Sequence, residues 1–228
     1  VVALRARHRM VAPAVGWWAA PVIAGTASSA ALLWLICGPL GGLGYENDFR
    51  AEAWPAYKAL FAGHLIRFVA LSPPYFASLA VRAPFAAAAI ALGGGWKLTY
   101  LASALPCLAA PPALAVWLEG RHGGDRAANL AVWTSPLVLI AVNPLVVFSL
   151  ILGHPEEMVG ACLAIAAVVV AAGGGAWWLA GALVAGAVVN KPWAIVAVPV
   201  VLAVLGAARA RAATLIAVLC TAAYTARM

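Results

Sequence analysis

Apolar residues in this chain neither alternate nor keep to one helical stripe; they come in blocks that would cover a helix on every side. Such blocks fit lipid-facing helices, because inside lipid a segment must satisfy its own backbone polar groups. They fall at about 13–39, 74–93, 97–118, 128–151, 157–172, 176–189, 193–206 and 213–226. The longer ones reach the roughly 20 residues that span a bilayer. The shorter, of about 14–16 residues, must extend through their polar flanks to do so. The expected fold class is all-α: a polytopic transmembrane helical protein forming a single membrane domain over 1–228. Barrel strands are excluded, because they are short and alternate.

Residues 41–73 break the pattern with a polar-to-amphipathic loop. Trp54, Leu60, Phe61, Leu65 and Phe68 fit one side of a helix, with Arg50, Lys58 and Arg67 elsewhere on it. That arrangement suits a helix lying in the membrane interface, and equally a short loop helix packed on the protein.

Counting crossings against the charges leaves two topologies: every block crossing with a weak charge bias, or a non-crossing 74–93, which is the preferred reading. If every block crosses, Arg121, Arg126, Arg209 and Arg211 all fall outside, against the positive-inside bias. If 74–93 does not cross, all four fall inside, leaving about seven crossings. The segment 74–93 carries Arg82 and Pro84 at its centre. A central arginine is costly in lipid and the proline frees backbone groups, so the segment reads as re-entrant or surface-lying. Residues 41–93 thus form an extracytoplasmic loop with an interfacial helix and a re-entrant segment. Arg5, Arg7 and Arg9 put the N-terminus in the cytoplasm of a cell with the chain in its inner (plasma) membrane. The opening Val1-Val2 reads either as a start codon written as valine or as a piece of a longer protein.

Composition agrees: 66% of residues are hydrophobic, 9% are charged and mean hydropathy is +1.00. The net charge of +7 reports orientation, since no basic run with interleaved aromatics suggests nucleic acid. Cys37, Cys107, Cys162 and Cys220 lie in or beside apolar blocks without C-x-x-C spacing, and read as buried free thiols.

With so few charges, those that cluster matter. Gly44-Tyr45-Glu46-Asn47-Asp48-Phe49-Arg50 follows the first block. Alternate residues of an extended loop share a side, so a carboxylate could act as base beside an anion-binding arginine. The bland alternative makes Asp48 the N-cap of the following helix. Gly153-His154-Pro155-Glu156-Glu157 is ordinary helix-start chemistry in its proline and acids, but that leaves His154 unexplained. An imidazole with two carboxylates can also hold a metal, though no third cluster completes a signature. Lys191, before Pro192-Trp193, is either a snorkelling interfacial lysine or a phosphate ligand. Without a crossing at 74–93, all three motifs emerge on the extracytoplasmic side. No Walker loop, G-x-S-x-G or H-E-x-x-H occurs.

These motifs in this order resemble the GT-C superfamily of membrane glycosyltransferases, and more closely the bacterial, especially actinobacterial, mannosyltransferase-like proteins. The likeness covers about residues 14–211 and rests on Glu46-Asn47-Asp48-Phe49, Pro73-Pro74 with Arg82-Ala83-Pro84, Asn143-Pro144 with Gly153-His154-Pro155-Glu156-Glu157, and Lys191-Pro192. The E-x-D spacing departs from an adjacent acid pair, and the chain ends soon after its last block. The resemblance implies inverting transfer of a sugar, mannose by the closer likeness, from a polyprenyl-phosphate donor to a lipid or glycan acceptor outside the cytoplasm. Asp48 would be the general base, with Glu46 beside it. Lys191, with Arg82 or Arg50, would meet the departing phosphate, and His154, Glu156 and Glu157 would orient hydroxyls. No metal ligand set is implied; a divalent cation is compatible but not required. Two other classes stay open: a transporter or lipid flippase, and a truncated non-catalytic membrane protein.

Overall fold

The computed structural model describes residues 19–37, 48–122 and 144–225, and every element among them is helical. Helix α1 spans Ala19–Cys37. After a π-helical turn at Phe49–Ala53 come α2 (Trp54–Phe61), α3 (Leu65–Leu71), α4 (Phe76–Ala91) and α5 (Trp96–His122). Then follow α6 (Pro144–Leu152), α7 (Glu156–Ala172), α8 (Trp177–Asn190), α9 (Ala197–Leu205) and α10 (Arg209–Thr225).

The glycine punctuation works as helix capping. At Gly153 the chain takes φ +84°, and the His154 N–H returns to the Ser149 carbonyl (2.8 Å) while Gly153 N–H reaches Leu150. That paired pattern ends α6 and needs a residue tolerant of the left-handed region. Pro192 forces Lys191 out of helical geometry (φ −147°, ψ 118°), so α8 stops at Asn190 and the chain turns into a 3-10 segment.

Two apolar helical stretches are long enough to cross a membrane, Trp96–Leu118 and Pro192–Thr225. The second is not one straight rod. At Gly206 (φ +55°) it folds back into a hairpin of α9 and α10. Gly181 of α8 packs against Ala212 and Leu215, and the Tyr224 hydroxyl reaches the Val188 carbonyl (3.3 Å), so α10 runs parallel to α8. Helices α7 and α8 form the adjoining hairpin, turned at Gly173-Gly174-Gly175. The His154 turn and Lys191 therefore share one end of the bundle, and Gly173–Gly175 and Gly206 share the other. Ile165, Trp178, Val200, Val204, Val218 and Leu219 are exposed on its outer faces.

The amphipathic loop departs from a single interfacial helix. It is broken at Ala62–His64 into α2 and α3, and the buried positions of its helical turns are Phe49, Ala53, Ala56, Tyr57, Ala59 and Phe68. Of the expected apolar side, Phe61 and Leu65 are exposed and Trp54 and Leu60 half-buried. The aromatic core explains this: the Tyr57 hydroxyl bonds the Leu79 carbonyl (3.1 Å), and Phe49 packs on Tyr100 at 5.0 Å. Cys107 is buried, Cys162 and Cys220 half-buried, and all three are free.

Candidate functional site

Asp48 occupies the N-cap position of the π-helical turn, as the bland expectation had it, but its side chain caps nothing. Its carboxylate instead meets His154 Nε2 at 3.0 Å. The other ring nitrogen, Nδ1, meets Glu156 Oε1 at 2.9 Å. One imidazole thus bridges the segment after the first helix and the N-terminus of α7.

Glu156 is not the solvated helix-start acid its position suggests, being fully buried. Its second oxygen takes a 2.7 Å bond from Arg82 Nη1, itself 1% exposed. Arg82 also donates through Nε to the Ser103 carbonyl (3.0 Å) and through Nη2 to the Ser103 hydroxyl (3.2 Å), and its guanidinium lies over Phe49. A buried charge is tolerated only when paired and hydrogen-bonded in this way. It explains why an arginine stands at the centre of an apolar helix.

Lys191 completes the group. Its ammonium lies 3.1 Å from both Glu156 and Glu157, and over the Tyr75 ring at 4.2 Å. Asn190 donates to the Glu156 carbonyl (2.8 Å), and Gly160 leaves room for it, with Asn190 Nδ2 only 3.1 Å from where a Cβ would stand. Trp193 donates its indole N–H to Glu157. Tyr75 stands edge-on to His154 at 5.9 Å and donates to Glu52 (2.6 Å). Burial, then the nearby carboxylates of Glu156 and Glu52, push the Tyr75 pKa up, so the hydroxyl remains a donor.

The fold therefore brings together Asp48, Arg82, His154, Glu156, Glu157 and Lys191, drawn from four separate stretches of chain. Arg50 is placed elsewhere, exposed over the Trp96 ring at 5.6 Å. Glu46 lies outside the described residues. Side-chain exposure sorts the group: Asp48 (36%), Glu157 (31%) and His154 (19%) face solvent, whereas Arg82 and Glu156 are sealed in. Arg82 and Glu156 hold the site and, in this arrangement, are out of reach of a substrate. Lys191 is already neutralised by two carboxylates, so it can meet a phosphate only by giving up one of them. Because the two carboxylates on His154 lie on opposite ring nitrogens, they do not converge on one point. Among the described residues no group of His, Cys, Asp and Glu is placed to hold a metal ion.

Tyr75, Glu52, Ser103 and Asn190 were not singled out by sequence. Glu52 lies one helical turn beyond Asp48, Tyr75 directly follows Pro73-Pro74, and Asn190 directly precedes Lys191-Pro192, which are local signals for three of the four.

The electrostatics make a pH prediction. The hydrogen bond to Glu156 raises the His154 pKa above the usual 6.5; burial and Lys191 oppose it, and the charges of Glu156 and Asp48 add to it. A raised folded-state pKa means that the stabilisation is fully present below the unfolded value and is lost as pH rises through the folded one. Melting temperature should accordingly fall as pH is raised from below 6.5 through that folded-state pKa. His154→Gln should flatten that part of the profile, and an unchanged profile would mean that the imidazolium bridge contributes nothing.

No protein family, curated protein or solved structure matches the chain, so function must be argued from the site itself.

Proposed function

We propose that this chain is a polytopic membrane protein that transfers a sugar, mannose by the resemblance, from a polyprenyl-phosphate donor to an extracytoplasmic acceptor with inversion. The observation that carries the reading is the half-exposed Asp48 carboxylate, anchored through His154 to the buried Glu156–Arg82 pair. A general base needs a carboxylate that a substrate can reach and a neighbour that fixes its orientation. Asp48 takes the proton of the acceptor hydroxyl as the hydroxyl oxygen attacks the anomeric carbon, and the donor phosphate leaves from the opposite face. Glu157 presents carboxylate oxygens to sugar or acceptor hydroxyls, and His154, engaged at both ring nitrogens, holds Asp48 in place. Lys191, released from Glu157, meets the phosphate. The test is sugar transfer from radiolabelled polyprenyl-phosphate mannose by membranes holding the wild type or Asp48→Asn.

Several features support the membrane topology. The outer faces of the α7–α10 bundle are apolar, a surface suited to lipid. Helix α4 has 16 residues, more than the 14 of α8, so its placement and not its length bears on the crossing. Tyr75 before it touches His154 and Lys191, and Trp96 after it lies under Arg50, two residues beyond Asp48 in the chain. This favours the non-crossing reading of 74–93. We expect a cysteine at Gly95, in a background with the native cysteines replaced by alanine, to be labelled from the extracytoplasmic side. Gly95 has open space around it, whereas a side chain at Gly94 would strike the Ala89 carbonyl at 2.7 Å. Labelling only from the cytoplasm would mean that α4 crosses.

A transporter or lipid flippase is favoured by one observation, the neutralisation of Lys191 by two carboxylates in a network that protonation could rearrange. Its charged groups sit at one end of the bundle, not at mid-depth, which counts against it.

A further inference from the structure

The stretch from Asp48 to the first turn of α5 carries four exposed cations that the site does not use: Arg50, Lys58, Arg67 and Lys97. Arg50 and Lys97 both lie over the Trp96 indole, each 5.6 Å from its centroid. Lys58 lies over Trp54 at 6.0 Å. None of the four has an ion-pair partner among the described residues. The chain has no Asp or Glu between Glu52 and Glu119, so no nearby acid in the sequence offsets Lys58 or Arg67. Glu52 itself accepts from Tyr75.

Beside these cations, the junction of α2 and α3 exposes large apolar side chains. Ile66 is 88% exposed, Leu65 63% and Phe61 38%, while Phe68 on the same helix is buried in the core. An ordinary surface helix would place polar residues where Leu65 and Ile66 stand. An apolar tip flanked by cations, with tryptophans beside them and no acids, has the composition of a segment resting in the headgroup region of a membrane.

The geometry points to a leaflet of anionic lipid as the partner of the α2–α3 junction. Ile66, Leu65 and Phe61 enter the apolar boundary, and Lys58 and Arg67 meet lipid phosphates. The inference rests on the reading proposed above only in taking the chain to be bilayer-embedded.

The test uses the full chain reconstituted into bilayer nanodiscs of phosphatidylcholine with rising phosphatidylglycerol. A ligand that binds only the folded state raises the melting temperature, here by about 2–4 °C across the titration. Added salt should shrink the shift, since the Debye length falls to about 3 Å at 1 M. Lys58→Gln/Arg67→Gln, at two exposed positions, should keep the wild-type melting temperature in pure phosphatidylcholine and lose the response to phosphatidylglycerol. An equal response in the variant, or none in the wild type, overturns the inference. So does an equal shift produced by inorganic phosphate in neutral nanodiscs, which would assign the cations to a soluble anion. Alkaline extraction of native membranes separates the two readings. A chain stripped by carbonate sinks the membrane reading and this one together, whereas a retained chain indifferent to phosphatidylglycerol sinks only this one.

Discussion

Glu156→Ala is expected to destabilise the chain by about 3–5 kcal/mol, the usual consequence of breaking a buried ion pair from one side. The loss of the carboxylate leaves Arg82, 1% exposed, without a countercharge in an apolar helix, and removes one of two partners from Lys191. In a chain of this size the melting temperature in neutral detergent should fall on the order of 10 °C. The paired replacement Arg82→Met/Glu156→Leu should recover much of that, because well-packed apolar residues can replace a buried pair at little net cost. It would not recover the site, since His154 would have lost the acceptor for Nδ1. A Glu156→Ala protein as stable as the wild type would mean that the Arg82–Glu156 bond does not hold these helices together.

Asp48→Asn is expected to reduce sugar transfer roughly 10²–10⁴-fold while leaving membrane insertion intact. The amide is nearly isosteric but cannot take the acceptor proton, and the side chain is 36% exposed, so little packing is disturbed. Glu46→Gln should cost less if that acid only positions its neighbours. Transfer by Asp48→Asn at the wild-type rate would remove the acid from the mechanism and shift the preference to a transporter.

Much of the helical architecture is legible in the sequence, because it depends on local rules. Apolar blocks must satisfy their own backbone, glycines end helices, and Pro192 turns the chain at Lys191. The extra break at Gly63 and the burial of Tyr57 were not legible, because they follow from which aromatic rings meet across the core rather than from helical periodicity.

The candidate site divides in the same way. Sequence by itself singled out Asp48, His154, Glu156, Glu157, Lys191 and Arg82, because a charge in an apolar chain is conspicuous wherever it stands. It could not determine their roles. Only the tertiary structure buried Glu156 against Arg82, turned Asp48 from a helix cap to a partner of His154, and neutralised Lys191. Arg82 and Glu156 are 74 positions apart, and His154 and Lys191 are 37 apart. Pairing over such separations is set by how the helices pack, and burial then decides which charges can reach a substrate and which can only hold the others in place.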